Sequence, residues 1–360
     1  IFGPIGEVGR WGGDEFIAVL PNQNVEEIAE RSERLISQIE EDAITVKTSE
    51  LRLSASIGIA EFPEHSDNLE SLVQCADAAM YRAKELGKGQ AFIYESGLYE
   101  SMTQQVSMVN DLRRTVENHL LDFYIQGKYD LNGELKGGEV LCRWISGLHG
   151  VVSPAVFIPI AEEHKLDSAI GLQALEAACD YISIMESQQG DAIPLSVNIS
   201  ANQMLDPEFP NQAMSICMDN DVSPEFIELE LTESVFIRDE KSALRALNTL
   251  REHGFRLSLD DFGSGFSSLS YLRSFQFEVV KVDKSLIQGI HQDSKANALF
   301  NGLIAMLKSL QIDVVAEGVE LESYLPFMEQ ADIQLMQGFY FDKPMPYDQF
   351  LARHTTEPNR

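Results

Sequence analysis

The sequence has few basic residues for its length. Its 360 residues include 27 Lys and Arg against 57 Asp and Glu, which gives a formal net charge of −30. A charge this negative repels a phosphate backbone, and no basic stripe appears along the chain. We therefore exclude polymeric nucleic acid as a partner, and a nucleotide ligand would have to be small or bound through metal ions.

Paired cysteines and long apolar runs are also missing. Cys75, Cys142, Cys179 and Cys217 lie far apart without a CxxC pair, which indicates free thiols in a reducing cytosol rather than a disulfide framework or a zinc site. No apolar run approaches the roughly 18 to 20 residues of a membrane helix. We expect a soluble, cytoplasmic chain or the cytoplasmic part of a membrane-anchored or sensor-linked parent. Because the chain begins with Ile1 rather than Met, we expect a segment of a longer protein.

The first 96 residues form the first of two expected domains, since 40.2 kDa exceeds what one typical core supports. Apolar residues at near-helical period predict helices over Val25–Glu41 and Leu69–Leu86, and alternation predicts a strand over Leu53–Ala60. The run Gly12-Gly13-Asp14-Glu15 predicts a hairpin turn. This order of elements indicates an α+β unit.

A regular alternation of short apolar runs and amphipathic stretches follows. Residues 97–108 are polar with little period, so we interpret them as a linker, followed by a helix over about Val109–Leu120 and a second domain over 109–355. Eight strands are predicted: Phe123–Tyr129, Glu139–Trp144, Ile193–Ile199, Phe226–Thr232, Arg256–Asp261, Glu278–Asp283, Asp313–Gly318 and Ile333–Phe341. Eight βα-type strands predict an α/β fold of the (β/α)₈ TIM-barrel type, and an open doubly wound sheet is the alternative.

Most of these strands end in an acidic or polar residue. In order they are Glu139, Asn198, Glu230, Asp260 with Asp261, Lys281 with Asp283, Glu317 and Gln337. The strand ends of a barrel converge on one face, where so many carboxylates would repel one another without cations. Oxygen ligands without His or Cys favour Mg²⁺ or Mn²⁺, and adjacent aspartates suit a two-metal phosphodiester hydrolysis.

Each of these residues also has a plainer interpretation. A single strand-end acid is more often a helix cap or a solvated loop residue, but the joint pattern favours a site. Lys281 either pairs with an acid or orients an attacking water and stabilises phosphate charge. The run Gly263-Ser264-Gly265 is either an ordinary turn or a mobile loop beside the metals.

The strand-end motifs resemble those of EAL domains, in order and in register. They are Glu139-Val140-Leu141-Cys142-Arg143-Trp144, Ser196-Val197-Asn198-Ile199-Ser200, Glu230-Leu231-Thr232-Glu233-Ser234, Asp260-Asp261-Phe262-Gly263, Lys281-Val282-Asp283-Lys284-Ser285, Glu317-Gly318-Val319-Glu320 and Gln337-Gly338-Phe339. EAL domains are (β/α)₈-type barrels that hydrolyse the bacterial second messenger cyclic di-GMP to linear pGpG. The resemblance therefore implies a metal-dependent phosphodiesterase.

The resemblance also implies residue roles. It assigns two Mg²⁺ or Mn²⁺ ions to Glu139, Asn198, Glu230, Asp260 and Asp261, and water activation to Lys281, Asp283, Glu317 and Gln337. It assigns anchoring of the Gly-Ser-Gly loop to Glu233 and substrate contacts to Gln126, Leu141, Arg143 and Pro344. The chain departs from the family pattern at Val140, at Ser264, and at Gly127-Lys128, where the family usually has Pro and an apolar residue.

The first domain resembles a GGDEF domain, the module that condenses two GTP into cyclic di-GMP. The resemblance rests on Gly12-Gly13-Asp14-Glu15-Phe16, Ser56-Ile57-Gly58-Ile59-Ala60 and Asp77-Ala78-Ala79-Met80-Tyr81-Arg82-Ala83-Lys84. Gly3 and Gly6 stand where the family's RxxD inhibition site would be, so feedback binding is not expected. We expect the first part of this domain to lie before Ile1, and GTP binding is a property we expect only of the intact parent.

Three functions remain open from the sequence. The first is cyclic di-GMP hydrolysis, the second is a receptor module without turnover, and the third is a bifunctional cyclase and phosphodiesterase in the full-length parent. A homodimer through the EAL domains is a further expectation from the resemblance. None of the seven histidines precedes Asp, and no GxSxG or HExxH motif occurs, so other hydrolase classes are set aside.

Overall fold

The computed structural model of the chain describes residues 1–42, 44–46, 49–263, 275 and 277–354. The chain divides into two units, Ile1–Met108 and Val109–Arg360. Among the described residues, no helix is long and apolar enough to cross a membrane.

The first unit begins with a β-hairpin. The elements of the unit are β1 (Glu7–Gly12), β2 (Glu15–Val19), α1 (Val25–Glu41), β3 (Ile44–Val46), β4 (Ser49–Leu51), β5 (Ile57–Ile59), α2 (Leu69–Glu85) and β6 (Ala91–Ile93). Gly12 lies opposite Glu15 across the β1–β2 turn, which confirms the predicted hairpin. Helix α1 has the predicted bounds, whereas β5 is shorter than the strand predicted over Leu53–Ala60.

Helix α2 packs directly on β5. A Cβ atom on Gly58 would lie 1.9 Å from the carbonyl oxygen of Ala76 and 2.2 Å from the amide nitrogen of Met80. Only glycine permits so close an approach between helix and strand. The small core beside this contact consists of Cys75, Ala78, Ala79 and Tyr94.

The segment 97–108, which we interpreted as a linker, is largely helical. Helix α3 covers Leu98–Glu117 and therefore begins earlier than the predicted helix over Val109–Leu120. Leu98 and Met102, one helical turn apart, pack against the small core of the first unit. The sequence did not predict the first part of this helix because polar residues surround the few apolar side chains that pack there.

The second unit is built around a strand barrel. Its elements are β7 (Asp122–Tyr129), β8 (Leu135–Ser146), β9 (Gly150–Val152), α4 (Pro154–Glu163), α5 (Asp167–Gln189), β10 (Leu195–Asn198), α6 (Ala201–Met204), α7 (Phe209–Asp219), β11 (Ile227–Thr232), α8 (Ser234–Glu252), β12 (Arg256–Phe262), β13 (Val279–Val282), α9 (Lys284–Ile287), α10 (Ser294–Ser309), β14 (Asp313–Ala316), α11 (Leu325–Gln330), β15 (Leu335–Met336), β16 (Met345–Pro346) and α12 (Tyr347–His354). Short 3₁₀ turns lie at Pro224–Phe226 and Glu322–Tyr324.

Eight of these strands close into a barrel in the order β7, β8, β10, β11, β12, β13, β14, β15 and back to β7. Strand β7 runs antiparallel to both of its barrel neighbours, whereas the other pairings are parallel. A short connection over residues 130–134 joins β7 to β8, and a connection without a helical crossover permits only antiparallel pairing. The closed ring confirms the predicted barrel and excludes the open sheet.

The last predicted strand, Ile333–Phe341, is wrong beyond Leu335–Met336. After Gln337 the chain turns against Val319, where a Cβ atom on Gly338 would lie 2.2 Å from the Val319 carbonyl oxygen. This turn places Gln337 at the carboxyl end of the barrel. The carboxyl-end face, formed by the ends of the seven parallel strands, therefore receives side chains from β8 round to β15.

Candidate active site

Lys281 lies among the acidic residues of the carboxyl-end face. Its side chain is 1% exposed, and its Nζ atom lies 2.6 Å from Glu230, 2.8 Å from Glu317, 3.2 Å from Glu139 and 3.2 Å from Asp260. Burial alone would lower the pKa of Lys281, but these carboxylates raise it well above its ordinary value. Lys281 therefore remains an ammonium group and draws together acids from separate parts of the barrel.

The acids around Lys281 differ in how readily they ionise. Burial opposes ionisation of Glu230, but two neighbouring lysines lower its pKa to about 2. Burial and neighbouring carboxylates raise the pKa of Glu139 and of Asp260. Burial also raises the pKa of Glu317 to about 8, although Lys281 opposes the shift. The cluster holds more potential negative charge than one lysine neutralises, so it favours further cations.

Amide side chains connect to the same cluster through Glu139. Asn198 donates its Nδ2 hydrogen to Glu139 Oε1 at 2.6 Å, which leaves its amide oxygen as an acceptor. Gln337 donates from Nε2 to Glu139 Oε2 at 2.7 Å and to Gln126 Oε1 at 3.1 Å. The Oε1 atom of Gln337 is buried and has no hydrogen-bond partner among the described residues. An unpartnered buried acceptor at this position suits a donor such as water.

The adjacent aspartates are brought together by a distortion of β12. The pairing of β12 with β13 is irregular between Leu259 and Phe262, and Asp261 has a φ of +55°. A regular strand would direct neighbouring side chains to opposite faces. Instead, Asp260, Asp261 and Glu317 each place a potential ligand oxygen within 4.8 Å of the others. Asp260 Oδ1 also accepts a hydrogen bond from the Asp261 amide at 2.8 Å.

A second buried lysine lies below the cluster, and sequence reasoning missed its contacts. Lys128 Nζ lies 2.8 Å from Glu228 Oε1 and 2.8 Å from Glu230 Oε1. In the sequence Lys128 is only a departure from the EAL pattern, and Glu228 has no predicted role. The available signal was that Glu228 and Glu230 are two residues apart on one strand and therefore share its inward face.

The contacts described for the other predicted residues are with groups other than Lys281. Arg143 lies with its guanidinium carbon 5.6 Å from the centre of the Tyr124 ring, and Leu141 pairs with Tyr124 across β7 and β8. The Asp283 side chain caps α9 by accepting from the Ser285 amide at 2.9 Å. The half-buried Glu233 is the N-cap residue of α8, and Pro344 precedes β16. Ser264 and Gly265 of the predicted loop lie outside the described residues.

The GGDEF motif of the first unit occupies the β1–β2 turn. Gly13 has a φ of +54°, a conformation that favours glycine. Asp14 and Glu15 are exposed, and Phe16 is 70% exposed. The motif therefore forms a hairpin turn.

The barrel and its acidic face define a class of protein, a (β/α)₈-type barrel with an oxygen-ligand site at its strand ends. Comparison with known families assigns the class more closely. The model of the EAL domain family matches residues 109–344, and the model of the diguanylate cyclase GGDEF domain matches residues 5–90. The chain belongs to the EAL domain family and carries GGDEF and EAL domains in tandem.

Two curated relatives align with nearly the whole chain. The bifunctional diguanylate cyclase/cyclic di-GMP phosphodiesterase MucR of Pseudomonas aeruginosa is 33% identical over 96% of this chain and 50% of its own length. The cyclic di-GMP phosphodiesterase PdeR of Escherichia coli is 31% identical over 94% of this chain and 51% of its own length. The chain spans about half the length of the curated relatives it matches.

A solved structure resembles the barrel unit. The PaMucR phosphodiesterase in complex with c-di-GMP is 32% identical, with a TM-score of 0.64, and the match covers 68% of this chain and all of that one (100%). This likeness agrees with the closed eight-stranded barrel and places the chain among EAL structures.

Proposed function

We propose that the barrel unit hydrolyses cyclic di-GMP to linear pGpG in a reaction that requires Mg²⁺ or Mn²⁺. The observation that carries this proposal is the convergence of Glu139, Glu230, Asp260 and Glu317 on one lysine at the carboxyl-end face. The names of the EAL relatives supply the substrate class.

The donor set of the face fits divalent cations. It consists of carboxylate oxygens and one amide oxygen, which Mg²⁺ and Mn²⁺ prefer. The proposed ligands of two ions are Glu139, Asn198, Glu230, Asp260 and Asp261. When bound, such ions lower the pKa of water and stabilise the oxygens of the attacked phosphodiester. The raised pKa values of Glu139, Asp260 and Asp261 support this fit, because burial and mutual repulsion there disfavour the unpaired carboxylates.

The remaining residues would bind and orient the reactants. Lys281 carries a fixed positive charge and would stabilise negative charge that develops on the phosphate. The unpartnered Gln337 Oε1 atom would accept a hydrogen bond from the attacking water. Glu317, which lies 2.8 Å from Lys281, would exchange a proton with that water, and Asp283 would help to order it.

Substrate contacts are proposed for residues at the edge of the same face. Gln126 connects to the cluster through Gln337, and Leu141 and Arg143 follow Glu139 along β8. The guanidinium of Arg143 is suited to binding a phosphate group. Its contact with the Tyr124 ring, at 5.6 Å from the ring centre, holds it against the barrel. Pro344 is the fourth proposed contact, and Glu233 is the proposed anchor of the loop after Asp261.

The experiment is incubation of the purified chain with cyclic di-GMP and Mg²⁺, followed by chromatographic separation of the nucleotides. Glu139→Ala should abolish formation of pGpG because it removes a metal ligand that also holds Asn198 and Gln337. Glu134→Ala is the matched control, since the Glu134 side chain is 66% exposed on the β7–β8 turn. This control should retain the unmutated rate.

The metal requirement is tested in the same assay. EDTA should stop hydrolysis, and added Mg²⁺ or Mn²⁺ should restore it. Hydrolysis that persists in EDTA, or an unchanged rate in Glu139→Ala, would contradict the proposal. Binding of cyclic di-GMP without turnover would favour the receptor function instead.

GTP binding at the GGDEF motif is proposed for the full-length parent, on the basis of the bifunctional relative. Homodimerisation through the EAL domains and a cytoplasmic location also remain proposals. GTP titration of the parent tests the first proposal, sedimentation of the chain tests the second, and cell fractionation of the parent tests the third.

A further inference from the structure

Lys128 is a buried cation inside the barrel that the proposed mechanism leaves without a role. It lies on β7 and is 4% exposed. In the β7–β8 register Lys128 lies opposite Gly137, whereas Gln126 lies opposite Glu139. Lys128 is therefore one inward-facing position deeper than the residues of the carboxyl-end face, beneath Glu230 rather than beside the substrate.

The carboxylate of Glu230 is held at both oxygens. Its Oε1 atom lies 2.8 Å from Lys128 Nζ, and its Oε2 atom lies 2.6 Å from Lys281 Nζ. The Glu230 side chain is fully buried. Two charge-assisted hydrogen bonds on opposite oxygens fix both the position and the rotation of a carboxylate.

The two lysines serve Glu230 differently. Lys281 is shared among four carboxylates. Lys128 contacts only Glu228 and Glu230 among the ion pairs of the described residues. The hydrogen bond from Lys128 to Glu230 therefore has fewer competing carboxylates than the one from Lys281.

The net charge of Lys128 and its neighbours decides whether Lys128 favours or opposes the binding of a divalent cation. An isolated ammonium beside a ligand carboxylate would repel a divalent cation. Here the Glu228 carboxylate lies 2.8 Å from the same ammonium, so the Lys128–Glu228 pair itself adds almost no net charge. Arg256 lies 3.9 Å from the other Glu228 oxygen, but its side chain is 38% exposed and its charge is screened by solvent. The remaining effect of the Lys128–Glu228 pair is geometric.

We propose that Lys128 is a positioning residue that orients Glu230 for divalent-cation binding, with Glu228 holding Lys128 in place. The proposal rests on the metal-dependent function proposed above. Hydrogen-bond partners behind a metal ligand typically contribute about 10- to 100-fold in metal affinity. We therefore expect loss of Lys128 to weaken cation binding by about tenfold.

The test is Mn²⁺ binding to the full chain, measured by electron paramagnetic resonance without substrate. Lys128→Met keeps the apolar stem and removes the ammonium, and Lys128→Met/Glu228→Gln removes the whole pair without changing the net charge. Lys136→Met is the matched control, because Lys136 is 44% exposed and forms ion pairs only with Asp130 and Glu134 among the described residues. The charge-matched double variant should bind Mn²⁺ about tenfold more weakly than the unmutated chain, and the control should bind it equally well. Lys128→Met alone should lose less affinity, because it leaves the Glu228 carboxylate unpaired.

A purely structural role would lower thermal stability without changing the affinity of the folded protein for Mn²⁺. Equal or tighter Mn²⁺ binding by the folded double variant would therefore overturn the proposal. If Lys128→Met alone fails to fold, the double variant decides, since removing both charges of a buried pair is tolerated better than removing one. If the unmutated chain binds Mn²⁺ but leaves cyclic di-GMP intact, the proposed function fails while the Mn²⁺ comparison still tests Lys128.

In turnover assays the same variants separate metal from substrate effects. Lys128→Met should raise the Mn²⁺ concentration that gives half-maximal rate, while KM for cyclic di-GMP at saturating Mn²⁺ stays unchanged. A raised KM with an unchanged Mn²⁺ requirement would assign Lys128 to substrate binding and contradict the positioning role.

Discussion

Replacement of Lys281 by methionine tests whether its ammonium holds the acidic face together. The variant keeps the apolar stem but removes the charge that four carboxylates approach within 2.6 to 3.2 Å. Removing one partner of a buried ion pair typically costs about 3 to 5 kcal/mol. We expect the lower end, about 3 kcal/mol, because carboxylates with a raised pKa take up protons instead of remaining charged.

Urea unfolding in the presence of a chelator measures this cost. The chain has two tryptophans; Trp144 in β8 is fully buried and Trp11 is 63% exposed. Fluorescence therefore reports mainly on unfolding of the barrel. With a slope of about 3 kcal/mol per molar urea, the expected loss lowers the midpoint by about 1 M.

Metal and activity measurements complete the test. Mg²⁺ should narrow the difference in midpoint between Lys281→Met and the unmutated chain, because added positive charge relieves the same repulsion. At saturating Mg²⁺ the variant should hydrolyse cyclic di-GMP about 10²-fold or more slowly. An unchanged midpoint in chelator would refute the reasoning, since it would mean that the carboxylates do not depend on this ammonium.

Other perturbations have equally definite expectations. Because the pKa of Glu317 is raised from 4.5 to about 8, the folded state retains a proton that the unfolded state releases above about pH 4.5, so metal-free stability should fall as pH rises toward 8. Urea midpoints in chelator should show this decline, and a midpoint that rises steadily over the window would contradict it. Asp261→Gly should be more stable than Asp261→Ala by about 1 kcal/mol and should therefore unfold at a higher urea concentration, since only glycine relieves the positive φ, while both variants should need more Mg²⁺ for turnover. Gly58→Ala should lower the melting temperature of the first unit because its Cβ would overlap the α2 backbone, and an unchanged temperature would show that the helix shifts freely.

Much of the barrel was predictable because its strands carry a strong local signal. Short β-branched runs separated by amphipathic segments predict alternating strands and helices, and the circular order follows from a closed ring of such units. The antiparallel β7 was not predicted, although the short connection before β8 is visible in the sequence. The first turns of helix α3, before Val109, were missed because Leu98 and Met102 are the few apolar side chains that pack there and they do not form a continuous apolar stripe.

The membership of the acidic face was predictable in the same way, but its internal contacts were not. Residues at the ends of parallel strands must share one face, so Asn198, Glu230 and Asp260 could be grouped from their positions alone. Glu139 begins its predicted strand, and only the motif resemblance grouped it with them, because β8 in fact starts earlier, at Leu135. Whether neighbouring Asp260 and Asp261 face the same side depends on the irregularity of β12 and on a positive φ at Asp261. The residue types in that segment do not predict the irregular pairing or the positive φ. A regular strand would place the two aspartate side chains on opposite faces.

The contact between Lys128 and Glu230 shows that the effect of a departure from a motif depends on where the fold places the residue. In the sequence, Lys128 stands beside Gln126 and suggests a change at the substrate contact. The antiparallel course of β7 reverses that expectation, because moving along β7 from Gln126 to Lys128 leads away from the carboxyl-end face. The lysine therefore meets Glu228 and Glu230 from below, at 2.8 Å from each. A charge that would disturb a substrate pocket instead supports a carboxylate proposed to bind metal.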